Sequence, residues 1–430
     1  MQNISREEAL KLLNAPERLD NLGKLVQDAR EGRLPLPETH EDVNNHIHTT
    51  YSFSPYSPTA AVWFSWQSGL CTCGLIDHDS IAGCDEFLKA CEIVGIPGTV
   101  GMECRASMLD TPFADKKFNN PDQAGMTYLT IHGVPHDKAG ALNEYFIPMR
   151  EKRNVRNRAM VNSINGMLAA FDIHIDFDRD VVSISNYPVG GSITERHISC
   201  ALANKLLERF PDAKDLISFI KNDMKLPIAP RIEGYLLDAE NPHRVYDLIG
   251  WIKAELINRF YIPATDELND FKTIIAHAND IGAIMAYPYL GDVGDSVTGD
   301  KRAQKFEDDY LDELFPYLRD VGFHAVSYMP SRNTPAQLTR LRALCDKYEM
   351  FRISGEDINQ PRQPFVCMAQ RAPEFRNLYE STWALIAHEN LATGNPERGF
   401  FSPESVKKQP DLKKRTLEFA EIGRNMFKDL

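Results

Sequence analysis

Apolar runs of strand length recur along this chain, and in two stretches they alternate with longer runs of helical spacing. "VNNHIH", "GLCTCGLID", "IPGTVGMEC" and "MTYLTIHGV" read as strands, with "SPTAAVWFSWQSG" and "SIAGCDEFLKACEIVG" as helices among them. The rhythm resumes with "IGAIMAYPY", "FHAVSYMP" and "MFRISGED", separated by helical patterns near residues 266–281, 301–320 and 334–348. Strands that alternate with helices in this way build a parallel sheet, and seven of them predict an α/β barrel. Before the first strand, residues 1–40 carry helical spacing that ends in the linker "LPLPETHED". The barrel halves then fall at 41–136 and 266–360, around a helical insertion at 137–265 with few strand-like runs and a proline-rich turn, "KLPIAPRIEG". Residues 361–430 read as a C-terminal extension whose helices pack on the barrel or on a partner subunit, so self-association is left open.

Composition narrows the class. With 430 residues, 43% of them hydrophobic, the chain can bury a large core. The polar N-terminal stretch and the lack of any long apolar run predict a cytoplasmic protein with no membrane span. A net charge of -13 opposes binding of a nucleic-acid backbone by the surface as a whole. The eight cysteines follow no disulfide-scaffold spacing, and Cys71 and Cys73 sit in a run that reads as a buried strand, so reduced cysteines acting as small hydrophobes are expected.

The chemistry collects where strands end. His46 and His48 alternate on a strand and aim two imidazoles the same way. Asp77, His78 and Asp79 end the second strand, Glu103 the third and His132 the fourth, and Asp357 follows the last. Each has a structural reading of its own: His132 as a core histidine, Asp79 as a helix cap, Asp357 as a turn residue. Parallel barrels, however, build their sites at this face, and nitrogen with oxygen donors suits zinc, manganese or iron.

"HIHTTYSFSP", "LIDHDSIAG", "GMECRASM" and "TYLTIHG", followed by "GGSITERHISCALA" and "ISGEDIN", resemble in order and spacing the polymerase and histidinol phosphatase (PHP) family of metal-dependent phosphoesterases. The resemblance spans roughly residues 41–360. It implies a distorted TIM-like barrel, α/β in class, with one to three divalent ions at the C-terminal face and hydrolysis of a phosphate ester of a small molecule by attack of a metal-activated hydroxide. Carried over, His46, His48, Glu103 and Asp357 form the first metal position, Glu103 and His132 belong to a second, and His78 to a third.

The chain departs from that pattern in three places. Tyr287 stands where the family commonly has the histidine that completes the second site, and it is kept here as a candidate ligand; His277 reads as part of a core helix instead. Asn359 replaces another histidine, and Ser54 and Pro55 occupy the region of an expected ligand. The segment "GGSITERHISC" offers a helix N-terminus with Arg196 and His197 in its first turn, a natural anion site. Arg196 is accordingly expected to hold phosphoryl oxygens, and His197 or Asp79 to protonate the leaving group. Arg150, Arg153 and Arg156 share one side of a predicted helix and are expected to form a solvated face, with Arg158 pointing elsewhere. Tyr328 and Arg332 are weaker candidates for shaping the pocket. Two further readings use the same residues: an amidohydrolase-like enzyme attacking carbon, and a degenerate member that binds metal or a phosphorylated ligand without turnover.

Overall fold

β-Branched and apolar residues at alternating positions give the predicted strands their pleated, two-faced character, and they assemble into one sheet. The computed structural model describes residues 4–120, 123–293 and 304–428. Its strands are β1 (Val43–Ile47), β2 (Thr72–His78), β3 (Gly98–Ser107), β4 (Met126–His132), β5 (Asn269–Asp270), β6 (Ile284–Pro288), β7 (Ala325–Tyr328) and β8 (Phe351–Ser354). The order is β1-β2-β3-β4-β6-β7-β8, with the two-residue β5 beside β3. A parallel bridge from Ile47 to Ile358 closes the circuit, so the sheet is a nearly closed, barrel-like seven-strand ring surrounded by helices.

One strand departs from the all-parallel expectation. β4 runs antiparallel to both β3 and β6, whereas β1–β2, β2–β3, β6–β7 and β7–β8 are parallel. No helix lies between β3 and β4, and a chain that returns without a crossover helix can only pair antiparallel. This reversal decides where His132 ends up.

The two faces of the sheet have different partners. Met102, Leu129, Met285, Tyr287 and Val326 pack with the surrounding helices in the main core. Ile284, Ala286, Ala325, Phe351 and Ile353 form a separate core with Ala384, Leu385 and Ala387 of the C-terminal helix Arg376–Ala392. That helix therefore closes the barrel interior from the end opposite the loops after β1–β3. It is fixed by Glu389, which accepts from Val100 N at 2.8 Å and meets His136 Nε2 at 2.7 Å, and by His388 Nε2 against Gly133 O at 3.0 Å. The insertion has its own core around Met160, Ile164, Leu202, Leu206, Leu248 and Ile252, to which the barrel contributes Phe53. The helices expected near 266–281 and 334–348 form as Phe271–Asp280 and Pro335–Lys347; that expected at 301–320 forms as Leu311–Asp320, and residues 301–303 lie outside the described residues. Among the described residues no helix is long and apolar enough to cross a membrane.

A buried carboxyl supports the loop leaving β6. Glu307 has no exposed surface; its Oε1 accepts from Leu290 N at 2.8 Å and Gly291 N at 3.3 Å, while Oε2 has no partner. Burial pushes the group up from 4.5 to about 7, against the pull of the backbone donors. A raised carboxyl keeps its proton in the folded state where the unfolded chain has lost it. Its stabilising contribution is full below pH 4.5 and is lost as pH rises through about 7. The loss over that window is about 3 kcal/mol. Urea titrations between these limits should show wild type weakening with pH while Glu307→Gln stays flatter; equal slopes would contradict this placement of the charge.

Candidate metal centre

β1 is irregular where it matters. Its register with β2 shifts between Asn44 and Ile47, and such a bulge re-aims side chains. Asn44 uses both ends of its amide to hold the closing seam: Nδ2 donates to Glu356 O at 3.0 Å, and Oδ1 accepts from Glu356 N and His46 N, each at 3.0 Å. This ties β1 to the segment that carries Asp357. Gly355 permits the contact, since a Cβ there would stand 2.5 Å from the Cβ of His46.

The strand ends bring five of the predicted residues together. His46 Nε2 and His48 Nε2 are 3.2 Å apart, and each lies 3.7 Å from Glu103 Oε2. His48 Nε2 is 3.2 Å from Asp357 Oδ1, and His78 Nδ1 is 3.2 Å from Glu103 Oε2. Tetrahedral zinc with bonds of the usual length sets its ligand atoms about 3.3–3.6 Å apart. The separations among His46, His48 and Glu103 bracket that spacing, so these three residues fit one divalent ion, with Asp357 beside His48. Among the described residues, His46, His48 and Glu103 are the one group of histidines, cysteines and carboxylates set closely enough for this.

Burial and charge act in opposite directions here. Desolvation disfavours ionisation of Asp357, but the hydrogen bond and charge of His48, with the charges of His46 and Arg196, hold its carboxyl well below the usual range. Desolvation lowers His46, yet Glu103 and Asp357 outweigh it and leave the imidazole raised. His78 is pushed well down by burial and by the charges of His48, Arg153 and Arg196. Behind His48, Nδ1 meets Ser52 Oγ at 3.2 Å, and Ser52 Oγ donates at 2.6 Å to the buried Asp77, which also accepts from Thr49 N and Oγ1. A carboxylate reaching a ligand histidine through a hydroxyl fixes the ring and its tautomer. The sequence placed Asp77 at the strand end; the part played by Ser52 shows only in the fold.

Two expected ligands are not brought to the cluster. Thr130 is the residue of β4 opposite Glu103, and because β4 is reversed, His132 lies two residues farther toward the closed end. Its Nε2 is buried without a partner, and burial, with the charge of His46, pushes the imidazole down to about 3. On β6 the residue paired with Thr130 is Ala286, so Tyr287 takes the opposite, helix-facing side, 6.4 Å from Phe323 between ring centres. Tyr328 and Arg332 also turn to other work: Tyr328 is buried in the main core, and Arg332 Nε donates to Leu290 O at 3.0 Å. His277 stacks on Tyr145 at 4.1 Å.

The arginine helix is a correction as well. In Ile147–Leu168, Arg150, Arg153 and Arg156 are buried, not solvated. Arg150 donates to Asp79 O at 2.8 Å, and Arg153 pairs with the Asp79 carboxylate. Arg156 meets Glu195 Oε1 at 2.5 Å and Glu267 Oε2 at 2.8 Å, and Arg105 joins the same two carboxylates at 3.1 and 2.7 Å. Buried charges need such partners, and here they bolt the insertion to the barrel mouth. Arg158 points away, as expected, to an exposed pair with Asp178.

The proposed acids are already engaged. Asp79 adopts φ 50°, a left-handed conformation that Asp tolerates better than most residues, and its carboxylate faces Arg153. His197 is buried and accepts from Thr194 N at 3.1 Å through Nδ1, capping the helix Glu195–Arg209; burial and Arg153 push it down to about 3. Near neutral pH it is uncharged, with its proton on Nε2. Arg196 is half-buried, its charge reaches Asp357 and His78, and it has no hydrogen bond or ion pair among the described residues.

No family model matches the chain, and no curated protein does. Solved structures that resemble it include two hydrolases. A "putative metal-dependent phosphoesterase" from Bifidobacterium adolescentis is 19% identical with a TM-score of 0.49, over 76% of this chain and 90% of that one. An amidohydrolase from Chromobacterium violaceum, solved with sulfate and no metal, is 16% identical with a TM-score of 0.47, again over 76% of this chain and 90% of that one. Neither value is high enough to bear on the chemistry, which rests on the residues themselves.

Proposed function

We propose that the protein is a metal-dependent hydrolase that cleaves a phosphate ester of a small molecule, as the resemblance to the PHP family implies. The observation that carries this reading is Arg196: a half-buried cation without a hydrogen bond or ion pair among the described residues, in the first turn of the helix Glu195–Arg209, near enough for its charge to lower both Asp357 and His78. An amide or lactone develops a single oxyanion only on the way to its tetrahedral intermediate, whereas a phosphoryl group presents charged oxygens from the start that accept both its charge and its paired N–H donors. His46, His48 and Glu103 would hold the ion, with Asp357, 3.2 Å from His48 Nε2, and His78 Nδ1, buried without a hydrogen-bond partner 3.2 Å from Glu103 Oε2, as further donors. When bound, a divalent ion supplies a water acidic enough to become a nucleophile near neutral pH. Ser52 and Asp77 keep His48 in the ligand tautomer. His197 caps the helix that presents Arg196, and Glu195, held by Arg105 and Arg156, anchors its first turn.

Metal-loaded protein should release phosphate from p-nitrophenyl phosphate or nitrophenol from its bis ester, and leave amides and lactones untouched. Arg196→Ala should cut kcat/KM about a hundredfold, in the range seen when a charge-stabilising donor is removed. Turnover of amides or lactones, with esters of phosphate inert, would reverse the assignment.

A further inference from the structure

We infer that Asn359 is a positioning residue that aims the Asp357 carboxylate, and that the helical insertion holds Asn359 in place through Arg362. This takes Asp357 as a ligand of the proposed metal centre. The barrel fixes the backbone of Asp357 from both sides: Asn44 grips Glu356, Ile358 N donates to His46 O at 3.1 Å, and His48 N donates to Ile358 O at 2.9 Å. None of these bonds touches the carboxylate, whose side chain is 39% exposed. Asn359 supplies the missing constraint. It is buried, and its Nδ2 donates at 2.6 Å to Asp357 Oδ1, the oxygen that stands 3.2 Å from His48 Nε2. A hydrogen bond from a buried amide to a ligand carboxylate sets the direction of that carboxylate.

Asn359 is itself held from outside the barrel. Gln363 Oε1 accepts from Asn359 N and Gln360 N, each at 2.8 Å, and Gln363 Nε2 donates to Asp357 O at 2.7 Å, so one amide closes the turn. Arg362, next in sequence, reaches into the insertion. Its Nε and Nη2 donate to the two carboxylate oxygens of Asp247, each at 2.9 Å; Nη2 also donates to Asn241 Oδ1 at 3.0 Å, and the guanidinium lies 4.0 Å over the ring of Tyr235. Asp247 is buried on the helix Arg244–Trp251, whose Leu248 and Ile249 belong to the core of the insertion. A bidentate, stacked arginine fixes position in a way that lysine cannot reproduce. The path from the insertion to the carboxylate therefore runs through Arg362, Gln363 and Asn359.

A thermodynamic cycle on metal affinity tests this apart from activity. Metal-free protein is titrated with Mn(II), and free ion is counted by electron paramagnetic resonance. Asn359→Ala should weaken binding about tenfold to a hundredfold, as for other residues that orient ligands. Asn359→Leu, which refills the volume without a donor, should do the same. In an Asp357→Ala background neither substitution should weaken binding further. Arg362→Ala should weaken it about threefold or more, and Arg362→Lys should not restore it. Co(II)-loaded Asn359→Ala should show shifted ligand-field bands, while Arg158→Ala matches wild type. Losses that add to that of Asp357→Ala would make Asn359 an independent ligand or a packing residue and overturn the inference. Wild-type affinity in Asn359→Leu or in Arg362→Ala would also overturn it. If wild type binds no ion, this inference and the proposed function fall together; if the ion binds as described and phosphate esters are inert, the proposed function alone fails.

Discussion

Asp357→Ala should lose metal more than about a hundredfold in affinity, beyond the range typical for residues that only orient ligands. Asp357 is the ligand we propose from the segment that closes the barrel, and it stands 3.2 Å from His48 Nε2. Without it, Glu103 is the remaining carboxylate of the proposed ligand set, and the charge that balances a divalent ion is halved. Asp357→Asn keeps the shape and removes the charge, so it separates the two contributions. An intermediate affinity for Asn would mean that geometry and charge both count; equality with Ala would assign the effect to charge. Elemental analysis after dialysis, with competition against a chelator of known affinity, reads all three proteins. Retention of the ion by the Ala variant would remove Asp357 from the ligand set.

The strands, most of the helices and the H-x-H pair were legible because each leaves a local mark: alternation, helical period, or two histidines two residues apart. What failed to show was direction. The run "MTYLTIHGV" looks the same whichever way it lies in the sheet, and the signal was the stretch before it, residues 108–125, which carries no helical period with which to cross over. Tyr287 could not be oriented from sequence either. Ile284 and Ala286 on one face and Met285 and Tyr287 on the other are all buried, so alternation gives no contrast. The arginine helix did leave a mark. Met149, Arg153, Arg156, Met160 and Ile164 follow helical spacing, which sets two of the arginines on the apolar stripe and hence inside. Their partners Asp79, Glu195 and Glu267 come from distant parts of the chain and are brought together only by the fold.

Arg153→Ala should destabilise the protein by about 3–5 kcal/mol, the cost of stripping a buried charge of its partner. Arg153 is 2% exposed and bonded to Asp79, whose own backbone N–H donates to Glu103 O at 2.7 Å. The deletion leaves the Asp79 carboxylate without its ion pair, since Arg150 donates only to the Asp79 backbone carbonyl, and it opens a void between the insertion and the barrel. Arg158→Ala on the same helix is the control: its pair with Asp178 is exposed on both sides, and such pairs are worth about 0–1 kcal/mol. Urea denaturation should therefore separate two arginines five residues apart in sequence. Adding Asp79→Asn to Arg153→Met should recover part of the loss, because the uncompensated charge is gone and Asn tolerates the left-handed backbone at that position. No recovery would assign the loss to packing rather than charge, and equal losses for Arg153→Ala and Arg158→Ala would mean that the network does not carry the junction. If the junction does loosen, His78 and Arg196 shift with it, since Asp79 follows the first in sequence and Glu195 precedes the second. Metal and phosphate affinity should then fall together in Arg153→Ala, whereas Arg196→Gln lowers phosphate affinity alone.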